Sequence, residues 1–583
     1  MPSHLQAALG LVLVGSALQI ALPAGAAGAA DTPTHSVTVT GEGVSTYPAY
    51  ASQVQRYAVR TTSGTAGTID VTATTSDPDG AITVNGRPAT SGEPLEVTGL
   101  APGDEVAVAI DDAGGSSHQA FVYLPAGFPE LAASGTRPAD GAPYVFLGLG
   151  SFLSATSFQT AVDARGVPVY VREALEPHDF RPQPHGPAYT VFEPVKDSPD
   201  DQEYGYRVRE LDRQFAVTRT RRLRPVPRLG ITPDNTDFHD VQYAADGRVV
   251  MIGYHRDVRP HGRTWLDAVI EIVGPKGKLQ FAWSTQGHVK PKEAYVLGAK
   301  GQDYAHINSV QLLRNGDLLA SFRNLGQVMR IATTRHGGHR PGDVVWRMGG
   351  VENEFRFKDP GYAGFCAQHD ARILPNGHLM LFDNGSRADS GGPIAPQTAD
   401  MCPDPSDSDG ARVARPQSRV VEYAVDARRR VVRRVWSYAV PGRYAPFAGN
   451  AQRLPGGHTL VGWSNAENNA GPEPAPITSE VTRGGSEIWS LSARGWFSYR
   501  AFSGEAPDAI RPEIEVSGLD DGSPHPVGST VVVDYTCSDR GGSVLVSCMG
   551  PVPSGTPWTV TGSPFVVTAR DGQGNSTRSS TTY

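Results

Sequence analysis

From Phe365 to Phe382 the chain reads FCAQHDARILPNGHLMLF: polar His369 and Asp370, an apolar run, a Pro-Asn-Gly turn and a second apolar run. This alternation predicts strand, tight turn, strand, with Asn376-Gly377 supplying the positive φ of a hairpin. The pattern recurs as TDFHDVQYAADGRVVMI from Thr236, DYAHINSVQLLRNGDLLA from Asp303 and FAGNAQRLPGGHTLVG from Phe447. The polar leaders of these units are His239, His306, His369 and Asn450. They stand 67, 63 and 81 residues apart, further than the roughly 40–50 of common propeller repeats, so each unit is expected to carry inserted loops. Equivalent positions of a closed radial repeat point at one axis, which predicts that these histidines share a pocket.

Six strand-turn-strand units are countable. The first begins at Tyr144-Val145-Phe146-Leu147, the second holds AYTVFEP and VRELDRQFAVTRTRRL, and units three to six follow the four leaders. Outer strand pairs such as AVIEIVGPKGKLQFAW complete them. Before the repeats, SVTVTG, TIDVTATT, EVAVAIDD and QAFVYLPAG alternate polar and apolar between Gly- and Pro-rich turns, the pattern of a small β-sandwich. After about Arg511 the punctuation Y-x-C, C-x-G and V-x-A-x-D-x-x-G-N resembles the small immunoglobulin-like modules appended to bacterial extracellular proteins. Such modules bind glycan or cell wall, or act as spacers. The expected fold is all-β: a six-bladed β-propeller at 143–507, flanked by an N-terminal β-sandwich at 31–126 and a C-terminal Ig-like β-sandwich module at 511–583.

Composition supports this reading. Gly (66) and Pro (47) make up about a fifth of the 583 residues, which fits many turns between short strands and little helix. A net charge of −8 over this length gives no electrostatic footprint for nucleic acid or an anionic membrane. Residues 8–30 form an apolar run ending in small residues, which predicts a secretory signal peptide over 1–30 and hence a secreted, extracellular protein. Four cysteines suit export, and pairing by neighbourhood, Cys366 with Cys402 and Cys537 with Cys548, is the simplest of three connectivities.

Three imidazoles at matching repeat positions need polar partners, because packing alone does not call for them. Asn308 lies two residues beyond His306, on the same strand face. Arg323, in LLASFRNLGQVMRI, follows the second strand of that unit and can return to the axial mouth. Arginine beside histidines favours an anion with several oxygens, and its charge repels a divalent metal. No metal or other cofactor is therefore expected. Two other readings remain: a metal-dependent propeller lyase or hydrolase binding Mn²⁺ or Zn²⁺ through the three histidines, and a non-catalytic secreted glycan-binding propeller.

Together, His239 within FHD, AHINSV, SFRN and QHDARILPNG resemble the motif set of the bacterial arylsulfotransferase family, over roughly Tyr144 to Phe502. The resemblance implies a periplasmic or secreted propeller enzyme that moves a sulfuryl group from a phenolic sulfate ester to a phenol through a sulfohistidine, without a nucleotide sulfate donor. It implies small-molecule aryl sulfates and phenols as partners. By the same motifs His369 is the expected nucleophile, and His239, His306 and Arg323 are expected to hold sulfate oxygens and assist proton transfer. Asn308, and Asn450 as the fourth leader, are expected to contact substrate. The pair Cys366 and Cys402 is similar to a disulfide near the family's nucleophile, although its separation is longer.

Overall fold

The computed structural model describes residues 33–138, 142–195, 205–258, 264–295, 303–385, 402–407, 411–468, 474–519 and 525–582. The apolar leader, and much of the insertion between Ser386 and Gln417, lie outside them. Six sheets build a β-propeller, all antiparallel except for the parallel edge strand Arg356–Lys358 in the blade of His369, and helix among the described residues is confined to 3₁₀ turns of three residues. In chain order, blades 2 to 6 begin on inner strands His178–Pro182, Thr236–Tyr243, Ile307–Leu312, His369–Ile373 and Asn450–Arg453. Blade 1 is composite. Its three outer strands, Tyr144–Gly150, Phe158–Val162 and Pro168–Glu173, come from the start of the repeats, and its inner strand is Phe497–Gly504 from their end. Neighbouring inner strands touch all the way round, which closes the ring.

The blades pack face to face, so both faces of each central strand are buried and the strands read as continuous apolar runs. In blade 3, Val249 and Met251 face blade 2 while Val250 and Ile252 face blade 4. In blade 5, Leu379 and Leu381 pack on blade 4, and Met380 and Phe382 pack on blade 6. Period-2 alternation thus separates two cores and not core from solvent. The hairpin turns differ in one respect from the sequence reading. Gly377 has φ +83° and Asn376 is not in the left-handed region, so glycine alone supplies the unusual backbone. The Gly377 N–H donates to Leu374 O at 2.9 Å, and Asn376 Oδ1 accepts the His378 N–H at 3.0 Å.

Before the propeller, a three-stranded sheet (His35–Thr40, Ile69–Thr75, Pro94–Val97) packs on a six-stranded one that includes Arg56–Arg60, Glu105–Asp112 and Gly115–Tyr123. After it come two three-stranded sheets containing Thr530–Ser538 and Phe565–Asp571. Tyr47, Ala58, Val122 and Leu124 of the first sandwich join the core between blades 6 and 1, and Ala107 joins the core of the last module. Both disulfides, Cys366–Cys402 and Cys537–Cys548, are formed.

Candidate active site

Polar side chains on the inner strands take the place of a continuous backbone ladder between blades. Asp240 Oδ2 accepts the Val310 N–H (2.8 Å) and Gln242 Oε1 accepts the Leu312 N–H (3.1 Å). Ser309 and Gln311 accept the N–H groups of Ala371 and Ile373 (3.1 and 2.6 Å), and Asn450 and Gln452 those of Ala501 and Ser503 (2.9 and 2.7 Å). These latches fix which residues are equivalent. One ring holds Asp240, Ser309, Asp370, Asn450 and Arg500, and the ring above it holds His239, Asn308, His369, Gly449 and Tyr499. Blade 2 adds His178 and Asp179, whose His-Asp-x-Arg spacing to Arg181 matches that of His369 to Arg372. The four sequence leaders are therefore not one structural position. His306 enters two residues above Asn308 on a backbone with φ +50°, and Asn450 belongs to the lower ring. Backbone irregularities at the tops of these strands, between His178 and Arg181, Ile307 and Ser309, and His369 and Arg372, absorb the extra residues and re-aim the side chains.

The side chain of His306 reaches down to that of His239 in the upper ring, their ring centroids lying 4.9 Å apart at 83°. The Tyr499 ring is 5.5 Å from that of His239 and 6.5 Å from that of His369. Asp237 Oδ1 meets His239 Nδ1 at 2.6 Å, and Asp303 Oδ2 meets His306 Nδ1 at 2.5 Å. His369 is held by an amide. Asn384 Nδ2 donates to the carbonyls of Ala445 (2.9 Å) and Ala448 (3.0 Å), so its Oδ1 must face His369 Nδ1, at 2.7 Å, and accept a hydrogen bond from the Nδ1–H. The Ala448 N–H donates to His369 Nε2 at 3.2 Å, so that nitrogen carries the lone pair and the backbone engages it in this structure. Burial, then the charge of Arg323, holds the His369 pKa well below the usual imidazole value against the opposing pull of Asn384. The outcome is a neutral ring with Nε2 basic. Burial and the nearby His306 likewise hold His239 well below its ordinary value, and burial raises Asp237 well above its own.

Arg323 lies close enough to the histidines for its charge to act on His369. Its backbone N–H donates to His306 O (2.8 Å), and its guanidinium donates to Asn324 Oδ1 (3.0 Å) and Pro446 O (3.3 Å). Asn308 lies in the ring but directs its amide nitrogen at Gln368 O (2.7 Å), fixing the peptide just before His369. Both ends of the Asn450 amide are engaged with Ala501, the nitrogen donating to its carbonyl at 2.8 Å. Cys366 sits three residues before His369, and its N–H donates to Asp383 Oδ1 (2.9 Å), so the disulfide anchors the chain that leads into His369.

Beneath the histidines lies a buried ionic plug of three arginines and three aspartates. Arg500 donates to Asp179 Oδ1 (3.0 Å), His239 O (2.8 Å) and Asn308 O (2.6 Å), and approaches Asp240 and Asp370 at 3.8 and 4.0 Å. Arg181 pairs with Asp179 and Asp240 (3.1 and 2.7 Å), and Arg372 with Asp240 and Asp370 (both 2.8 Å). Burial opposes ionisation of Asp240, yet Arg372 and Arg181 hold its pKa below the usual carboxylate range. Asp179, where burial dominates, rises to about 6.

Sequence reasoning missed Asp237, Asp303, His178, Asn384, Tyr499 and Arg500. Two signals were available: the repeated His-Asp-x-Arg spacing for His178, and the Phe-x-Asn strand end shared by Phe322-Arg323-Asn324 and Phe382-Asp383-Asn384.

A propeller with a neutral, tautomer-locked imidazole beside an arginine and two carboxylate-held histidines defines a group-transfer enzyme for an oxygen-rich anion. The chain belongs to the arylsulfotransferase family: residues 142–494 match Arylsulfotransferase (ASST), and the protein is an aryl-sulfate sulfotransferase. Aryl sulfates and phenols fit this family. No curated protein matches the chain. Among solved structures it is similar to a protein of unknown function from Bacteroides caccae (12% identity, TM-score 0.36, covering 62% of this chain and 98% of that one). It is similar also to the periplasmic gluconolactonase PpgL of Pseudomonas aeruginosa (14%, 0.29, 60% and 99%) and to virginiamycin B lyase of Staphylococcus aureus (10%, 0.26, 62% and 99%). Likenesses this distant carry nothing about the reaction.

Proposed function

We propose that His369 Nε2 attacks the sulfur of a phenolic sulfate ester and forms a sulfohistidine, which a second phenol then discharges. The observation that carries this reading is the Asn384 amide, which puts the only proton of a neutral His369 on Nδ1 and leaves the lone pair on Nε2. In the first step the N–S bond forms as the ester O–S bond breaks, and the leaving phenolate takes a proton from His306. Asp303 at 2.5 Å supports the charged form of His306 that this requires. In the second step the acceptor phenol gives its proton back to His306, its oxygen bonds to sulfur, and the N–S bond breaks. Arg323 neutralises charge on the sulfuryl oxygens, and His239, kept neutral with Asp237, donates through Nε2–H to one of them. Splitting one displacement into two lets donor and acceptor bind in turn.

The paired cysteines support a reading in which this chemistry takes place outside the cytoplasm. No helix among the described residues is long and apolar enough to cross a membrane. The test is to mix the enzyme with a chromogenic aryl sulfate without acceptor, quench in alkali and map peptides by mass. One SO₃ on His369, removed by adding a phenol, is expected. An unmodified His369 during turnover, or undiminished transfer by His369→Ala, overturns the reading.

A further inference from the structure

Far from the histidines in sequence, and unused by the transfer chemistry, three carboxylates converge where the propeller exit meets both sandwiches. Asp508 lies in the connector after Phe497–Gly504, Asp539 directly follows strand Thr530–Ser538, and Asp571 ends strand Phe565–Asp571. One oxygen from each lies within 4.8 Å of the others. Asp539 and Asp571 are only 2% and 1% exposed.

Two of the three are satisfied by neutral donors. Asp508 accepts the N–H groups of Ile510 (2.9 Å) and Ser543 (3.1 Å) and the Ser543 hydroxyl. Asp571 accepts the N–H and the side-chain amide of Asn575, both at 2.7 Å. Asp539 differs. Neither of its carboxylate oxygens has a hydrogen-bond partner among the described residues, although the side chain is almost wholly buried and directed into the cluster. Nearby cations are engaged elsewhere: Arg540 with Asp104 at 2.5 Å and Arg56 with Glu105 at 2.8 Å. A buried acidic group without a partner is costly, and a cation among the three relieves both the desolvation and the mutual repulsion.

The donor set indicates which cation. All three ligand groups are hard oxygens, which excludes a preference for zinc or copper. Calcium binds oxygen at about 2.3–2.6 Å in irregular six- to eight-fold shells, so atoms up to ~4.8 Å apart fit on one sphere; magnesium demands a tighter octahedron. The backbone brings the groups together. Gly541 has φ +100°, and a Cβ there would stand 2.3 Å from Asp508 Oδ1, so only glycine lets this loop approach the connector so closely. The Glu105 N–H donates to Asp539 O at 3.2 Å, which ties the same loop to the N-terminal sandwich. We propose that Asp508, Asp539 and Asp571 bind one calcium ion that clamps the C-terminal module to the propeller exit.

The test uses the full chain and calcium chloride alone. After EDTA treatment, equilibrium dialysis is expected to return one Ca²⁺ per wild-type chain at this site and none for Asp539→Asn. About 1 mM Ca²⁺, against a Kd of ~10⁻⁴ M typical of extracellular sites, is expected to raise the wild-type Tm by roughly 2–4 °C and to leave Asp539→Asn unmoved. Asp571→Asn serves as a second variant, and sulfotransferase turnover reports that the propeller of each variant is folded. Calcium binding by both folded variants equal to wild type, or no binding by the wild type at millimolar Ca²⁺, overturns the proposal. The second outcome means that Asp539 is held as a neutral carboxylic acid instead.

Discussion

Asn384 is the group on which the proposed nucleophile, His369, depends most directly, and Asn384→Ala isolates its contribution. The substitution removes the acceptor of the His369 Nδ1 proton and leaves that buried donor without a partner, at a cost of about 1–3 kcal/mol. The same ring can then shift its proton to Nε2, where the lone pair is needed. If the whole cost falls on the reactive tautomer, turnover drops by roughly 5- to 150-fold, because about 1.4 kcal/mol is a factor of ten. The variant also loses two bonds to the carbonyls of Ala445 and Ala448, so stability is expected to fall by about 3 kcal/mol, at ~1 kcal/mol for each of three bonds. The assay is steady-state release of phenolate from a chromogenic sulfate, with urea denaturation of the same samples. Since the lost interaction orients the nucleophile and not the substrate, kcat should fall with KM little changed. Wild-type kcat in a variant destabilised as expected would show that the tautomer is not controlled by Asn384, and the argument for Nε2 attack would fail with it.

Arg323→Lys keeps the charge but loses the planar fork, and kcat/KM for aryl sulfate should drop roughly 10- to 100-fold, as for one charge-assisted bond of ~1.5–3 kcal/mol. Arg500→Met leaves the buried carboxylates of Asp179, Asp240 and Asp370 short of one cation, and should destabilise by about 3–5 kcal/mol in chemical denaturation. Near-normal stability there would mean that the plug is held by Arg181 and Arg372 alone. The third expectation concerns pH. His369 binds its proton in the unfolded chain below about pH 6.5 but not in the folded one, so its contribution is intact above that value and is lost as pH falls. The stability advantage of wild type over His369→Asn should therefore shrink by about 1.4 kcal/mol for each pH unit below ~6, and a difference independent of pH refutes the depressed pKa.

The parts of the site legible in the sequence were those fixed by hairpin periodicity. His239, His306, His369 and Arg323 each follow or precede an apolar run at a recognisable offset, and strand order then carries them to one axis. What the pattern could not show was register. A bulge adds a residue without disturbing the hydrophobic alternation on either side, so His306 and Asn450 match the other leaders in local pattern yet stand at different levels along the axis. Asn384 and Tyr499 were hidden for another reason. Their roles arise from contacts across blades, to Ala448 and to the rings of His239 and His369, and no local pattern marks such contacts. The expectation of a propeller succeeded because it rested on repetition; the fine assignment depended on side-chain-to-backbone latches that appear only once neighbouring blades are in place.

Blade 1, stitched from both ends of the repeat region, imposes an order of events on synthesis. Strands Tyr144–Gly150 and Phe158–Val162 leave the ribosome early, but the partner that covers them arrives more than three hundred residues later with Phe497–Gly504. That late strand also delivers Tyr499 to the upper ring and Arg500 to the plug, so a growing chain holds His239, His306 and His369 without the residues that complete their surroundings. A chain that stops short of Phe497–Gly504 therefore has no assembled site, and the complete set of surrounding residues first exists once that strand has been made and docked.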